Sequence, residues 1–170
     1  MTTIEENIMI MHHGCALRQN ASSQTISAMA QLGKPFEDAI AAALLTLGGS
    51  HGPVRDAQYA YTDWTNNEMN SFVYDTIPGF GSAWFKGKPD PTIQEFIETL
   101  PVLMQKGIKD YTEDVQEYYN KKIFPNAALA TACANIQLRR PASLGISLVI
   151  QGRIVAWEDI YEKNYKYKGF

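Results

Sequence analysis

An all-α domain is the fold class this 170-residue sequence predicts, on three observations. Apolar side chains recur at helical spacing, as in Phe36, Ile40, Ala43, Leu44 and Leu47. Residues that start and stop helices punctuate those stretches, with Asn20, Asp90 and Asn126 at starts and Gly33, Gly48 and Gly49 at ends. Val, Ile and Thr are scattered instead of alternating with polar residues, so strand signals are weak.

The elements follow in order. Asn20 to Leu47 reads as two helices, the first capped by Asn20 and ended by Gly33, the second with Pro35 near its first turn. Alanines at 39, 41, 42 and 43 permit close helix–helix approach. From Pro53 an aromatic-rich helix runs towards Tyr74, and Ile77 to Pro91 is a loop rich in Gly and Pro. A helix restarts at Asp90 and Pro91, with a kink or break at Pro101. "YTEDVQEYYNKKIF" predicts a charged amphipathic helix, "PNAALATACANIQLRR" another capped by Asn126, and "PASLGISLVIQGRIVAWEDIYEK" the last and most apolar.

Composition narrows the function classes. Apolar residues make up 45% of the chain, enough for a proper core. The net charge is −3 and no long basic run appears, which argues against nucleic acid as the main partner; the lysines of "NYKYKGF" read as a solvated tail. Cys15 and Cys133 are far apart and form no CxxC pair, so a structural zinc site or disulfide framework is not expected and a reduced, cytoplasmic setting is. The apolar run Ile8 to Met11 is too short for a signal peptide, and no stretch reaches the ~20 residues of a membrane span, so no membrane partner is expected.

Three stretches place polar groups in breaks between apolar helices: "MHHGCALRQNASS", "GGSHGPVRD" and "IPGFGSAWFKGKPDP". His51, flanked by glycines, can present a ring N–H to a substrate oxygen, or serve as a polar turn residue. Arg153 sits within the very apolar "LVIQGRIVAW" and faces one of two fates. It turns inwards and holds an anion such as a carboxylate, or it reaches solvent or pairs with Glu158 or Asp159. His12 and His13 are adjacent, point different ways and lack an acidic partner at ligand spacing, so no metal site is expected. Ser82 lacks the G-x-S-x-G frame of a hydrolase nucleophile, and "GFG" does not extend to G-x-G-x-x-G.

Taken in order, these stretches resemble the citrate synthase superfamily, including the citryl-CoA lyases. The histidine segment with Asn-Ala-Ser-Thr stands here as "HHGCALRQNASS" and Gly-Pro-Leu-His-Gly-Gly as "GGSHGP". Gly-Phe-Gly-His with Asp-Pro-Arg stands as "GFGSAWFKGKPDPT", and Pro-Asn-Val-Asp as "PNAA". The late Ala-Arg-Thr-Val-Gly-Trp motif stands as "GRIVAW". The resemblance implies a citrate-synthase-like helical fold reduced to the small subdomain plus the central dimerisation helices. Residues 1–50 and 141–170 would form the core and dimer helices, and 51–140 the small subdomain. It implies His51 as the hydrogen-bond donor to an acyl-CoA carbonyl becoming an enol, with His13 and Arg153 holding the substrate's carboxylates.

Several family positions carry different chemistry here. The aspartate that removes the proton is Ala128, the histidine after Gly-Phe-Gly is Ser82, and two arginines fall on Thr92 and Ser27. The family's late arginine has no clear match, Lys166 being the nearest cation. The expectation is therefore binding of acyl-CoA or a small carboxylate with Claisen-type C–C bond chemistry lost or altered; the alternative is a non-enzymatic structural or assembly protein on the same fold. No tightly bound cofactor is expected, a CoA thioester being the candidate substrate. The implied partner is a second copy, in a homodimer or higher homo-oligomer, or a second subunit supplying N-terminal helices that the family carries before its first motif.

Overall fold

The computed structural model describes residues 3–18, 20–47, 54–67 and 76–166. Eight α-helices account for most of these residues: α1 (Ile4–Leu17), α2 (Ala21–Gln31), α3 (Phe36–Leu45), α4 (Val54–Thr65), α5 (Pro91–Ile97), α6 (Val102–Tyr119), α7 (Ala127–Gln137) and α8 (Gly145–Asn164). A 3-10 turn, Ala142–Leu144, leads into α8. Among the described residues, β pairing is limited to one isolated bridge between Phe80 and Pro125. The all-α expectation holds.

The predicted caps act as caps. Asn20, Asp90 and Asn126 each accept a backbone N–H of the helix that follows, and Pro91 opens α5. Pro101 breaks the chain between α5 and α6, with no kinked continuation. Three expectations need correction. Residues 12–17 are not a break: they complete α1, which starts with a capping box in which Thr3 and Glu6 exchange hydrogen bonds. The charged helix does not start at Tyr111: α6 begins at Val102 and passes straight through Gly107, where a Cβ would collide with the Tyr61 hydroxyl, so glycine serves the packing. Lys121 to Phe124 lie outside α6, because Asn120 turns into the left-handed region at φ 47° and closes it. The stop at Gly48–Gly49, the run towards Tyr74 beyond Asn67 and the tail from residue 167 lie outside the described residues.

Three apolar cores hold the helices. The largest gathers Ile8 and Met11 of α1 with Tyr61, Phe80, Ile93, Phe96, Tyr111, Val115, Leu129 and Leu148. A second joins Ala16, Ile26, Ala39, Ala43, Ala156 and Trp157, so Ala39 and Ala43 provide the close approach their size allows. A small patch of Val54, Ala57, Ala132 and Val149 connects α4, α7 and α8. Each fully buried residue such as Ile26 or Met11 contributes on the order of 1.5–3 kcal/mol.

Helix α1 lies along α8, and Gly152 sets their separation. A Cβ at residue 152 would stand 2.6 Å from the Cβ of His12 and 3.2 Å from the Cα of Met9. Neither atom can move without shifting α1. Gly152→Ala should therefore destabilise the fold by about 1–3 kcal/mol in urea-induced unfolding, although alanine is the better helix former. An unchanged midpoint would show that the helices are not in this contact.

Candidate functional site

The site starts at the junction of α1 and α2. Asn20 Oδ1 accepts the N–H of Ser23 at 3.1 Å and the hydroxyl of Ser22 at 2.7 Å, while its Nδ2 donates to the Cys15 carbonyl at 2.8 Å. With its proton committed to Asn20, the Ser22 oxygen is free to accept, and Arg153 Nη1 donates to it at 3.0 Å. Arg153 is half-buried on α8, with Nε enclosed and unpartnered. Among the described residues no carboxylate comes within 4 Å of it. Glu158 is exposed and Asp159 faces His13 instead, at 3.8 Å. Burial lowers the guanidinium's pKa from its usual value, the thiol of Cys15 acting weakly the other way.

His12, one residue from the predicted His13, is electrostatically coupled to this arginine. It is 1% exposed. Thr131 gives its hydroxyl proton to the Ala127 carbonyl at 2.6 Å, so its oxygen accepts from His12 Nε2 at 2.8 Å. That fixes the tautomer and leaves Nδ1 as an enclosed, unpartnered acceptor. Burial first, and the charge of Arg153 second, push the imidazole down from 6.5 to about 3. His13 is half-exposed and turned towards Asp159. The adjacent histidines do point different ways, and the one electrostatically coupled to Arg153 is His12, which motif matching passed over because only burial marks it out.

A second region surrounds Ser82. Gly79 sits where any Cβ would meet Leu129 at 2.8 Å, at φ 93°, and its carbonyl accepts from Asn126 N at 2.8 Å. Asn126 Nδ2 donates to the Gly81 carbonyl at 3.2 Å, and Asn126 Oδ1 accepts from Ala128 N at 2.9 Å. One asparagine thus ties the Ser82 loop to the turn of α7 that carries Ala128. The Ser82 hydroxyl oxygen accepts from Trp84 N and Phe85 N at 3.1 and 3.3 Å. It borders a cleft of about 340 Å³ between this loop and the α6–α7 connection, whose walls include Phe85, Lys86, Lys88, Lys121 and Lys122.

Ala128 packs with Leu47 against the Val54, Ala57, Ala132 and Val149 patch. His51 itself lies outside the described residues, and Leu47 and Val54 are the described neighbours on its two sides. Val149 is one turn before Arg153 on α8, so the patch and the arginine share a helix face.

No protein-family model and no curated protein matches the chain. Solved structures do. Citryl-CoA lyase from Hydrogenobacter thermophilus aligns over 99% of this chain and 72% of its own, with TM-score 0.74 at 21% identity. The fold is that of citryl-CoA lyase. Citrate synthase from Thermotoga maritima MSB8 aligns over 90% of this chain and 49% of its own, with TM-score 0.62 at 18% identity. The resemblance read from ordered motifs therefore holds as a shared citryl-CoA-lyase-like fold.

The depressed pKa of His12 makes stability depend on pH. The folded state binds the imidazole proton more weakly than the unfolded chain, so the contribution is fully present above 6.5 and is lost as pH falls from there towards about 3. Unfolding free energy should decline by up to about 1.4 kcal/mol per pH unit on this account. Between pH 6.5 and 5, before most carboxylates titrate, His12→Gln should show a visibly flatter profile than the wild type in urea titrations. Parallel profiles would refute a neutral, buried His12.

Proposed function

We propose that the chain is a citrate-synthase-like protein that binds a small carboxylate against Arg153 and an acyl-CoA in the lysine-lined cleft, with Claisen-type C–C bond chemistry lost or altered. Arg153 carries this reading. A half-buried guanidinium with an enclosed Nε and no carboxylate within 4 Å among the described residues is an uncompensated charge. A ligand carboxylate supplies the counter-charge in a bidentate fork, with Ser22 beside it. Lys86, Lys88, Lys121 and Lys122 suit the phosphates of a CoA moiety, and Ser82 stands at the edge of the same cleft.

The chemistry is limited by what stands at 128. Removing a proton α to a thioester needs a base, and a methyl group accepts none; loss of a general base alone removes ~10²–10⁴ of rate. Ser82 does not replace an imidazole as proton carrier, and its oxygen already accepts from two backbone N–H groups. His51 is the remaining candidate donor to a thioester carbonyl. The likeness to a citryl-CoA lyase suggests a citryl-type carboxylate as the ligand to try first.

Titration calorimetry with CoA thioesters and with di- and tricarboxylates tests the reading. Binding of a carboxylate should be lost in Arg153→Met, while the thermal midpoint stays level or rises, because an unpaired charge has been removed. Absence of heat for every ligand on the wild type would end it.

Assembly is the second reading, and one surface favours it. Leu45 at the end of α3 is 88% exposed, with Leu44 beside it and Leu32 70% exposed after α2. We propose that a second copy covers this face in a homodimer. Leu45→Lys should halve the mass found by sedimentation equilibrium; an unaltered mass would exclude this face from the contact.

A further inference from the structure

Arg18 closes α1, inside the "HHGCALRQNASS" stretch but at a position to which the resemblance gives no role. Its guanidinium forks onto Asp90, with Nη1 donating to Oδ2 and Nη2 to Oδ1 at 2.7 Å. Nη2 also donates to Thr92 Oγ1 at 2.6 Å, and the guanidinium carbon lies 4.9 Å from the centre of the Phe85 ring. Phe85 and Asp90 both line the lysine cleft, and Asp90 is the one acidic residue among its lining residues. Its carboxylate is 7% exposed and serves as the cap of α5, accepting Thr92 N at 3.0 Å, so it remains an acceptor beside the cleft.

That arrangement poses an electrostatic problem. A cleft with four lysines attracts anions, yet one wall holds a poorly solvated negative charge. The Arg18 fork cancels that charge at contact distance, and the stacked guanidinium holds the Phe85 ring as a wall.

We infer that Arg18 is a positioning residue that fits the cleft for a phosphate-bearing ligand, by neutralising Asp90 and propping Phe85. The inference rests on the reading of the cleft as the seat of acyl-CoA phosphates. Arg18 touches no ligand in this scheme; it acts through Asp90 and Phe85. A merely structural tie between α1 and α5 would use the same bonds, and the two roles differ in what Asp90→Asn does. The asparagine keeps an oxygen to cap α5 but removes the charge.

The test is titration calorimetry of free CoA and of inorganic pyrophosphate onto the full chain, as wild type, Arg18→Gln, Asp90→Asn and the double variant. Arg18→Gln should weaken both ligands by about tenfold or more, since it leaves a buried carboxylate facing the phosphates. Asp90→Asn should bind at least as tightly as wild type, and the double variant should return to within about threefold of it. Equal affinity in Arg18→Gln and wild type overturns the inference, and so does a double variant as weak as Arg18→Gln. If Arg18→Gln does not fold, Asp90→Asn decides: weaker binding than wild type overturns the role assigned to Arg18. Wild type that takes pyrophosphate but not CoA removes the acyl-CoA reading while the pyrophosphate series still judges Arg18; wild type that takes neither removes both.

Discussion

The contact between α1 and α8 at Gly152 is the constraint on which the arrangement of polar groups depends. With no Cβ in the way, the first helix settles onto the last until His12 meets the α8 backbone. That approach brings the N-terminal imidazole under the influence of Arg153 and leaves the end of α1 where Asn20 can cap α2 and hold Ser22 against the same arginine. Two residues 141 positions apart in the chain become electrostatic neighbours because one position carries only hydrogen.

Around this contact, the burial of polar groups follows two patterns. At His12 the imidazole is kept neutral, so burial costs less than for a charged ring: Thr131 Oγ1 accepts the Nε2–H hydrogen bond, while Nδ1 stays unpartnered. At Arg153 the charge persists and the counter-ion is missing from the chain itself among the described residues. Arg18, by contrast, is fully matched to Asp90. Arg18 is thus tied internally by a bidentate fork, whereas Arg153 has the Ser22 hydroxyl as its hydrogen-bond partner.

The Asn126 bonds perform the corresponding work at the cleft. Two of them join the Gly79–Gly81 loop to Asn126, in a third Asn126 accepts the N–H of Ala128 in α7, and the positive φ of Gly79 lets that loop lie against Leu129. Ser82 and Ala128 are thereby held on either side of one asparagine, while their own side chains carry neither the imidazole nor the carboxylate that the motif resemblance would place there.

Much of the helical order was legible in the sequence, because caps and breaks are local. Asn20, Asp90 with Pro91, Pro101 and Asn126 act within a few residues of themselves, and the order of weak motifs pointed to the right fold. The α1 helix went unread although Thr3 and Glu6 spell its capping box, since a polar histidine segment looked like a break. Nor does local sequence account for Gly107 inside α6: the Tyr61 hydroxyl from another helix explains it. The tertiary structure alone decided that His12, buried, is the histidine coupled to Arg153, and that Arg18 answers Asp90 across 72 residues. Local sequence sets backbone preferences, but burial and charge pairing depend on which distant helix arrives, and no spacing along one chain encodes that distance.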